Sequence, residues 1–344
     1  MEFRKVNTYK EFVSLKEEWN ALLDRIEDPQ IFYKWEWTDC YLQYYDSSLQ
    51  ECLNIIIGYE KGKTIAIFPF VLKDTSLGFI TEKTTDYNMI YIDRNYNKYN
   101  LISKALEYLL QDGIVKKAVL LNVPSATELF IMLDVLRNLH WNAYLEENVA
   151  LPRLLRRENK KTNYQHKQVG DIERKKRRLA EGHKVEVLFS QKVENKVWEF
   201  IKQHHQKKYS TSVFARGNVV EFYEHLVQAL ENNVEISELI VDDQIAAVHF
   251  GFKDERKIYY YIPVYDASYA QNGVGMILLN EMINNYAGLE FDFLKGNESY
   301  KYYWSNNVRM SFHLQGFKEG KEDLVAKLIL KLKNLKFMRK ALGR

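Results

Sequence analysis

Residues 234–294 alternate in a way that leaves few folds open. Three runs, 234–241, 244–252 and 258–264, are rich in β-branched and aromatic residues, and short turns at Asp242-Asp243 and 253–256 separate them. They predict a three-strand meander. In its middle strand Val248, Phe250 and Phe252 share one face, while Ala247, His249 and Gly251 share the other. Asn272-Gly273-Val274-Gly275 then opens onto a helix over 276–286, where Met276, Leu279, Met282 and Ile283 recur at helical spacing. A short strand, 289–294, carries Asp292 among its apolar residues. A dense polar and aromatic cluster follows: Lys295, Gly296, Asn297, Glu298, Tyr300, Lys301, Tyr302, Tyr303 and Trp304.

The remaining chain also alternates strands with helices. Residues 2–6 read as a strand, and Thr8 with Glu11 forms a capping box for the helix after it. Residues 52–59 and 64–72 make a hairpin across Glu60-Lys61-Gly62-Lys63. Helices are expected over 99–111 and over 125–139, the second capped by Ser125 with Glu128 at the box position. This pattern is that of an α/β chain, layered as in α+β folds. At 344 residues it exceeds what one core usually serves, so two domains are expected, 1–152 and 153–320, with a basic amphipathic helix over 321–344.

Charge narrows the partners. The net charge is only +3, but residues 153–184 hold twelve Lys/Arg against four acids and 321–344 hold eight against two. Two basic blocks on an acidic body suit anionic ligands. On the first block, Arg174, Arg177 and Arg178 belong to a solvated helix face or to a phosphate site, since a guanidinium fork donates two parallel hydrogen bonds. Nucleic acid is disfavoured because Tyr164 is the only aromatic nearby. The last helix has three uses open to it: packing on the domain, pairing with another chain, or lying on an anionic membrane surface. Cys40 and Cys52 provide neither a disulfide framework nor a cysteine metal site, and the adjacent His204-His205 point about 100° apart on a helix, so no metal is expected. Met1–Lys5 leads into no apolar run, which makes a cytoplasmic protein the expectation.

Two features carry chemistry. Glycines before a helix N-terminus let a phosphate approach free N–H groups at the positive end of the helix dipole. His249 sits between small residues, with room beside its ring; it is either a base or a buried, hydrogen-bonded core residue.

Asp266, Asn272-Gly273, Phe291-Asp292-Phe293, Gly296, Glu298 and Tyr300-Lys301-x-x-Trp304 together resemble the signature of the GNAT-related acyltransferases of the CelD and Fem-like type. The resemblance implies two GNAT-like domains, each a mostly antiparallel mixed sheet flanked by helices, the first on the acceptor side and the second on the donor side. It implies transfer of an acyl group from acyl-CoA to an amine, with an amino sugar or nucleotide-sugar precursor of a surface polysaccharide as acceptor. The rival within the family takes an aminoacyl group from aminoacyl-tRNA to a peptidoglycan precursor; a non-catalytic binding protein is the third reading. By this resemblance Gln271, Asn272, Gly273, Val274 and Gly275 hold the donor, and His249 or Asp266 is the base. Tyr300 protonates the leaving thiolate, and Lys301 stabilises charge. Asp86, Tyr87, Arg174, Arg177, Asp292, Glu298 and Trp304 contact substrate. The family's phosphate loop begins with Gln or Arg three positions before its first glycine; here that position is Ala270, with Gln271 one place later.

Overall fold

The computed structural model describes residues 1–155, 166–190, 192–208 and 213–318. The expected C-terminal helix lies outside the described residues. In chain order the strands and α-helices are β1 (Glu2–Val6), α1 (Tyr9–Val13), α2 (Lys16–Leu23), α3 (Trp35–Cys40), β2 (Ile55–Glu60), β3 (Lys63–Phe68), β4 (Phe70–Lys73), β5 (Ser76–Phe79), β6 (Tyr91–Ile92), α4 (Lys98–Leu110), β7 (Lys117–Pro124), α5 (Thr127–Asn138) and β8 (Trp141–Leu154). The second half continues with α6 (His166–Gly182), β9 (Val185–Ser190), α7 (Asn195–Lys208), α8 (Gly217–Ala229), β10 (Val234–Val241), β11 (Gln244–Lys253), β12 (Lys257–Tyr265), α9 (Val274–Asn285), β13 (Glu290–Asp292) and β14 (Asn307–Lys318). Among the described residues no helix is long and apolar enough to cross a membrane.

The chain divides into two compact units. Of the described residues, the first takes Met1–Trp35, Ser48–Asn148 and 311–318; the second takes Glu36–Ser47 and those within Val149–Met310. In the first unit β1, β2, β3 and β6 form an antiparallel sheet. The β2–β3 hairpin closes on Lys61 and Gly62, both at positive φ, as a two-residue turn of the primed type requires. Pro69 interrupts the single strand expected over 64–72, so β3 and β4 belong to different sheets. β4, β5, β7 and the end of β14 make a second set of paired strands.

Local signals held in part. Thr8 and Glu11 form the capping box, each accepting from the other's backbone. The Ser125–Glu128 box does not form. Helix α5 begins two residues later with Ala126 at its N-cap, and Glu128 instead meets Lys98 Nζ at 2.6 Å.

In the second unit β9, β10, β11 and β12 run antiparallel, β13 joins β12 in parallel, and the end of β8 pairs with β13. Asp242 and Asp243, both at positive φ, close the β10–β11 hairpin. One sheet face packs on α9 and α6 through Leu239, Ala247, Ile258, Ile277, Leu278 and Ile172. The other face meets Trp198 of α7 and Tyr223 of α8, both against Phe250. Trp37, from the 36–47 segment, sits against Phe222, Phe252 and Tyr261 at 5.1–6.1 Å between ring centroids. That explains why an aromatic segment early in the chain belongs to the second core.

Asp93 in the first unit offers a test of stability against pH. Its side chain is fully buried and receives Arg25 Nε at 2.8 Å and Lys63 Nζ at 3.2 Å. Burial alone would raise its pKa, but hydrogen bonds from Arg25, the Asn95 amide and Lys63 outweigh this and hold it below the usual carboxylate range. A depressed folded pKa contributes stability that is complete above the unfolded value, about 3.9, and is lost as pH falls through the folded value. Urea unfolding from pH 6 to pH 2 should show this acid-side loss, and Asp93→Asn should flatten it while lowering stability at pH 6. An unchanged slope would show that Asp93 carries no such linkage.

Candidate functional site

The site begins with two strands that part. β12 and β13 pair only over Lys257–Tyr259 and Glu290–Asp292. β13 then turns away because the Asp292 carboxylate accepts the Leu294 N–H at 2.9 Å, and Leu294 takes φ of 57°. Phe293 donates its N–H to Pro152 instead. β12 continues six residues further, to Tyr265, without β13 beside it.

β12 is also bent from its other side. Its register against β11 shifts so that Tyr260 and Tyr261 stand opposite Gly251 alone, a β-bulge. The Tyr261 N–H is taken by His249 Nε2 at 3.0 Å, and His249 Nδ1 lies 2.6 Å from Glu235 Oε2. A nitrogen that accepts from an amide carries no proton, so the neutral ring holds its hydrogen on Nδ1 and donates it to Glu235. Ser237 and Tyr286 donate to the other carboxylate oxygen. Each donor and acceptor of this buried group therefore has a partner, as a low-dielectric site demands.

This resolves the two readings of His249. The room beside the imidazole is where the ring itself lies: a Cβ on Gly251 would fall on that ring and 2.5 Å from the Tyr259 carbonyl oxygen. His249 is fully buried with both nitrogens engaged, which leaves neither free to take a substrate proton. It is a core histidine that clamps a bulge, and the base assignment is corrected accordingly.

Between β11, β12 and α9 lies a cavity of about 330 Å³. Ala247, Val248, Tyr260, Pro263, Val264 and Tyr265 wall it on the sheet side, Gly273–Met276 and Leu278 on the helix side, and Tyr300 from the following loop. Gly273 is the N-cap of α9 at φ 70°, with no side-chain cap. Its own N–H returns to Tyr269 and Ala270, but among the described residues no acceptor meets the amides of Val274 and Gly275. These are the open donors of a helix start, at the positive end of its dipole. Lys175 of α6 lies over the same turn; a Cβ on Gly273 would come 3.2 Å from its Cδ and 3.4 Å from its Nζ. Nothing in the spacing of the chain links Lys175 to Gly273; the contact follows from α6 packing on α9.

The other anticipated residues divide by burial. Gln271 is exposed and Asn272 half-buried, both on the loop before α9. Tyr300 is half-buried on the cavity wall. Asp266 is not in this cavity. It caps the short helical turn before Gly273 by accepting from the Ser268 amide at 2.9 Å, and it lines a separate hollow of about 540 Å³ with His204 and Lys196. Burial pushes its carboxyl up, but hydrogen bonds from Ser268 reverse this and hold it low, so Asp266 is a weak base.

Lys301 is 4 % exposed, donates to the Lys295 carbonyl at 2.8 Å and pairs with Glu298 at 3.0 Å. Glu298 and Lys301 together fill the space a side chain on Gly296 would need. Asp292 and Trp304 are buried, the first shaping the turn after β13 and the second packed in the core. Arg174 and Arg177 are exposed, with Arg174 paired to Asp171 on its own helix.

In the first unit Tyr87 is 1 % exposed, its ring edge-on to Phe32 at 5.8 Å. Asp86 is half-buried beside it. The turn that carries Asp86 is held by Thr85 bonding Asn88 and by Asn122, at φ 55°, donating to the carbonyls of Glu82 and Thr85.

Comparison with known proteins bears on the fold. Residues 166–302 match the family model described as an acetyltransferase (GNAT) domain. That segment is thus similar to a GNAT domain. Solved structures share its fold across nearly the whole length. One is FemX, at TM-score 0.59 and 10% identity, covering 96% of this chain and 100% of that one. Another is L-PGS from Bacillus licheniformis, at 0.54 and 12%, covering 92% and 96%. A tandem GNAT protein from the clavulanic acid biosynthesis pathway gives 0.52 and 9%, covering 93% and 99%. At these identities the likeness is one of fold. No curated protein matches the chain.

The bulge can be tested directly. Gly251→Ala should lower stability by about 1–3 kcal/mol, because neither the clamped ring nor the Tyr259 carbonyl can give way cheaply. Urea unfolding would measure it, and a loss under about 0.5 kcal/mol, the range of an ordinary surface substitution, would show that the ring is free to move.

Proposed function

We propose that the protein is an N-acyltransferase that moves an acyl group from acyl-CoA to an amine, with an amino sugar or a nucleotide-sugar precursor as acceptor. The observation that carries this reading is the cavity beside β12, which ends on the uncapped start of α9. A thioester donor is long, amide-rich and anionic at one end. Its anionic end suits the amides of Val274 and Gly275 with Lys175 above them. Its extended arm suits the edge of β12 that β13 has left, where a strand's polar backbone faces the cavity. Ala270 stands where the family's loop has Gln or Arg, and Lys175 supplies from α6 the polar reach that this position lacks.

The reaction in this reading is direct transfer. The acceptor nitrogen bonds to the acyl carbon, the C–S bond breaks, and the amine gives up a proton to solvent. The sulfur leaves as a thiolate, which Tyr300 on the cavity wall protonates. Holding both substrates in one cavity contributes much of the rate.

A second reading has one observation in its favour. Arg174, Lys175, Arg177 and Arg178 are all exposed on α6, a surface suited to a polyanionic donor such as aminoacyl-tRNA. One assay set separates the two. The protein is incubated with acetyl-CoA and a panel of amino sugars while free thiol is followed, and in parallel with charged tRNA. Thiol release with one amine supports the proposal. No thiol release with any acceptor, together with no coenzyme A binding by calorimetry, overturns it, and transfer from charged tRNA puts the second reading in its place.

The donor end has its own test. Lys175→Ala should weaken coenzyme A about tenfold, the loss of one charge-assisted hydrogen bond, while Lys175→Arg should keep most of the affinity. Equal affinity in Lys175→Ala would remove this side chain from the donor site.

A further inference from the structure

Among the residues lining the cavity, Tyr260 combines two properties that conflict in an isolated protein. The residue is 6 % exposed, and among the described residues its phenolic oxygen, which keeps a little open surface, meets no hydrogen-bond partner. A buried tyrosine hydroxyl ordinarily finds one. The side chain has no freedom to seek one elsewhere. Its ring lies flat on the His249 imidazole, with centroids 4.8 Å apart and planes 5° apart, and it is flanked by Phe291 at 5.8 Å and Phe293 at 6.2 Å. The imidazole beneath is itself tied at both nitrogens. The small surface left to Tyr260 opens on the cavity that it lines. An oriented donor with no protein acceptor, in the wall of a ligand-sized cavity, fits an acceptor atom on the ligand.

We propose that the Tyr260 hydroxyl is a catalytic hydrogen-bond donor to the acyl carbonyl oxygen, and that His249 with Glu235 are positioning residues that hold its ring. This deepens the acyl-transfer reading and rests on it. As the acceptor nitrogen bonds to the acyl carbon, negative charge gathers on the carbonyl oxygen until the C–S bond breaks and the carbonyl re-forms. A fixed donor meets that charge without reorganisation. Burial, and then the nearby Tyr300, Glu235 and Glu298, push the phenol well above its ordinary range. Tyr260 therefore keeps its proton throughout, lending a hydrogen bond without giving the proton away, which leaves protonation of the thiolate to Tyr300.

Tyr260→Phe tests this cleanly, since it keeps the ring stack and removes no bond made within the protein. With acetyl-CoA and the amine found active for the unaltered protein, kcat should fall about 10²–10³-fold, the cost of losing one such donor. The Kd for acetyl-CoA by calorimetry should stay within about threefold, and the urea midpoint should not fall. Unchanged kcat, or a loss confined to Kd, overturns the assignment while leaving the acyl-transfer reading in place. An unaltered protein that neither binds coenzyme A nor releases thiol overturns the reading itself, and this assignment with it; that outcome is visible before any variant is made.

Discussion

The second unit depends on one hydrogen bond, from the Tyr261 amide to His249 Nε2. A bulge leaves the extra residue of its strand without a ladder partner, and a buried N–H without an acceptor is costly. A side chain that supplies the acceptor makes the bulge stable. For the imidazole to accept there, its proton must sit on the other nitrogen, and the buried Glu235 fixes it there. Glu235 in turn is tolerable in the core because Ser237, Tyr286 and His249 all donate to it. The chain of requirement runs outward to Gly251, which leaves room for the ring, and to Tyr260, which lies on it.

The two ends of the cavity follow opposite rules about unsatisfied groups. At α1 this chain caps a helix fully, with Thr8 and Glu11 answering each other's backbone. At α9 it places a glycine at the N-cap and leaves two amides open. A Ser, Thr, Asp or Asn there would contribute about 1 kcal/mol. The same position must, however, adopt φ of 70° and accept the Lys175 stem across its face, and glycine does both without strain. A lysine over a helix N-terminus is electrostatically the wrong partner for it. The two positive features together make sense once an anion stands between them.

How much of this could be read from residue order alone follows from the range of each interaction. The β10–β11–β12 meander, the turn into α9 and the Thr8 cap depend on periods and neighbours within a few residues, and those were legible. So was the resemblance carried by residues 266–304. The Ser125 cap was misread because Lys98, from another helix, competes for Glu128. Pro69 was read through although it ends a strand. Residues 36–47 were placed with the first half because aromatic spacing says how a segment packs but not against what; Phe222 and Phe252 decide that. His249 was legible as a histidine with room around it. Its meaning lay with Glu235, on a neighbouring strand, and the room belonged to its own ring. Tyr260 could not be singled out at all among the tyrosines of β12, since what distinguishes it is the absence of a partner.

Buried ionisable groups are costly, so their distribution carries information. Around the opening in the second unit stand His249, Glu235, Asp292 and Lys301, none more than 4 % exposed. Three of the four end on backbone. His249 takes the Tyr261 N–H, Asp292 takes the Leu294 N–H, and Lys301 gives to the Lys295 carbonyl. Each of these backbone groups lies where a strand bends or stops. A hydrophobic residue at any of the three positions could fill the volume but could not bond the backbone, and the strand would be free to resume its regular path beside its neighbour. That path would close the gap between β12 and β13. The desolvation of these side chains therefore goes into keeping two strands apart, and the β12 edge left open is what a ligand can use.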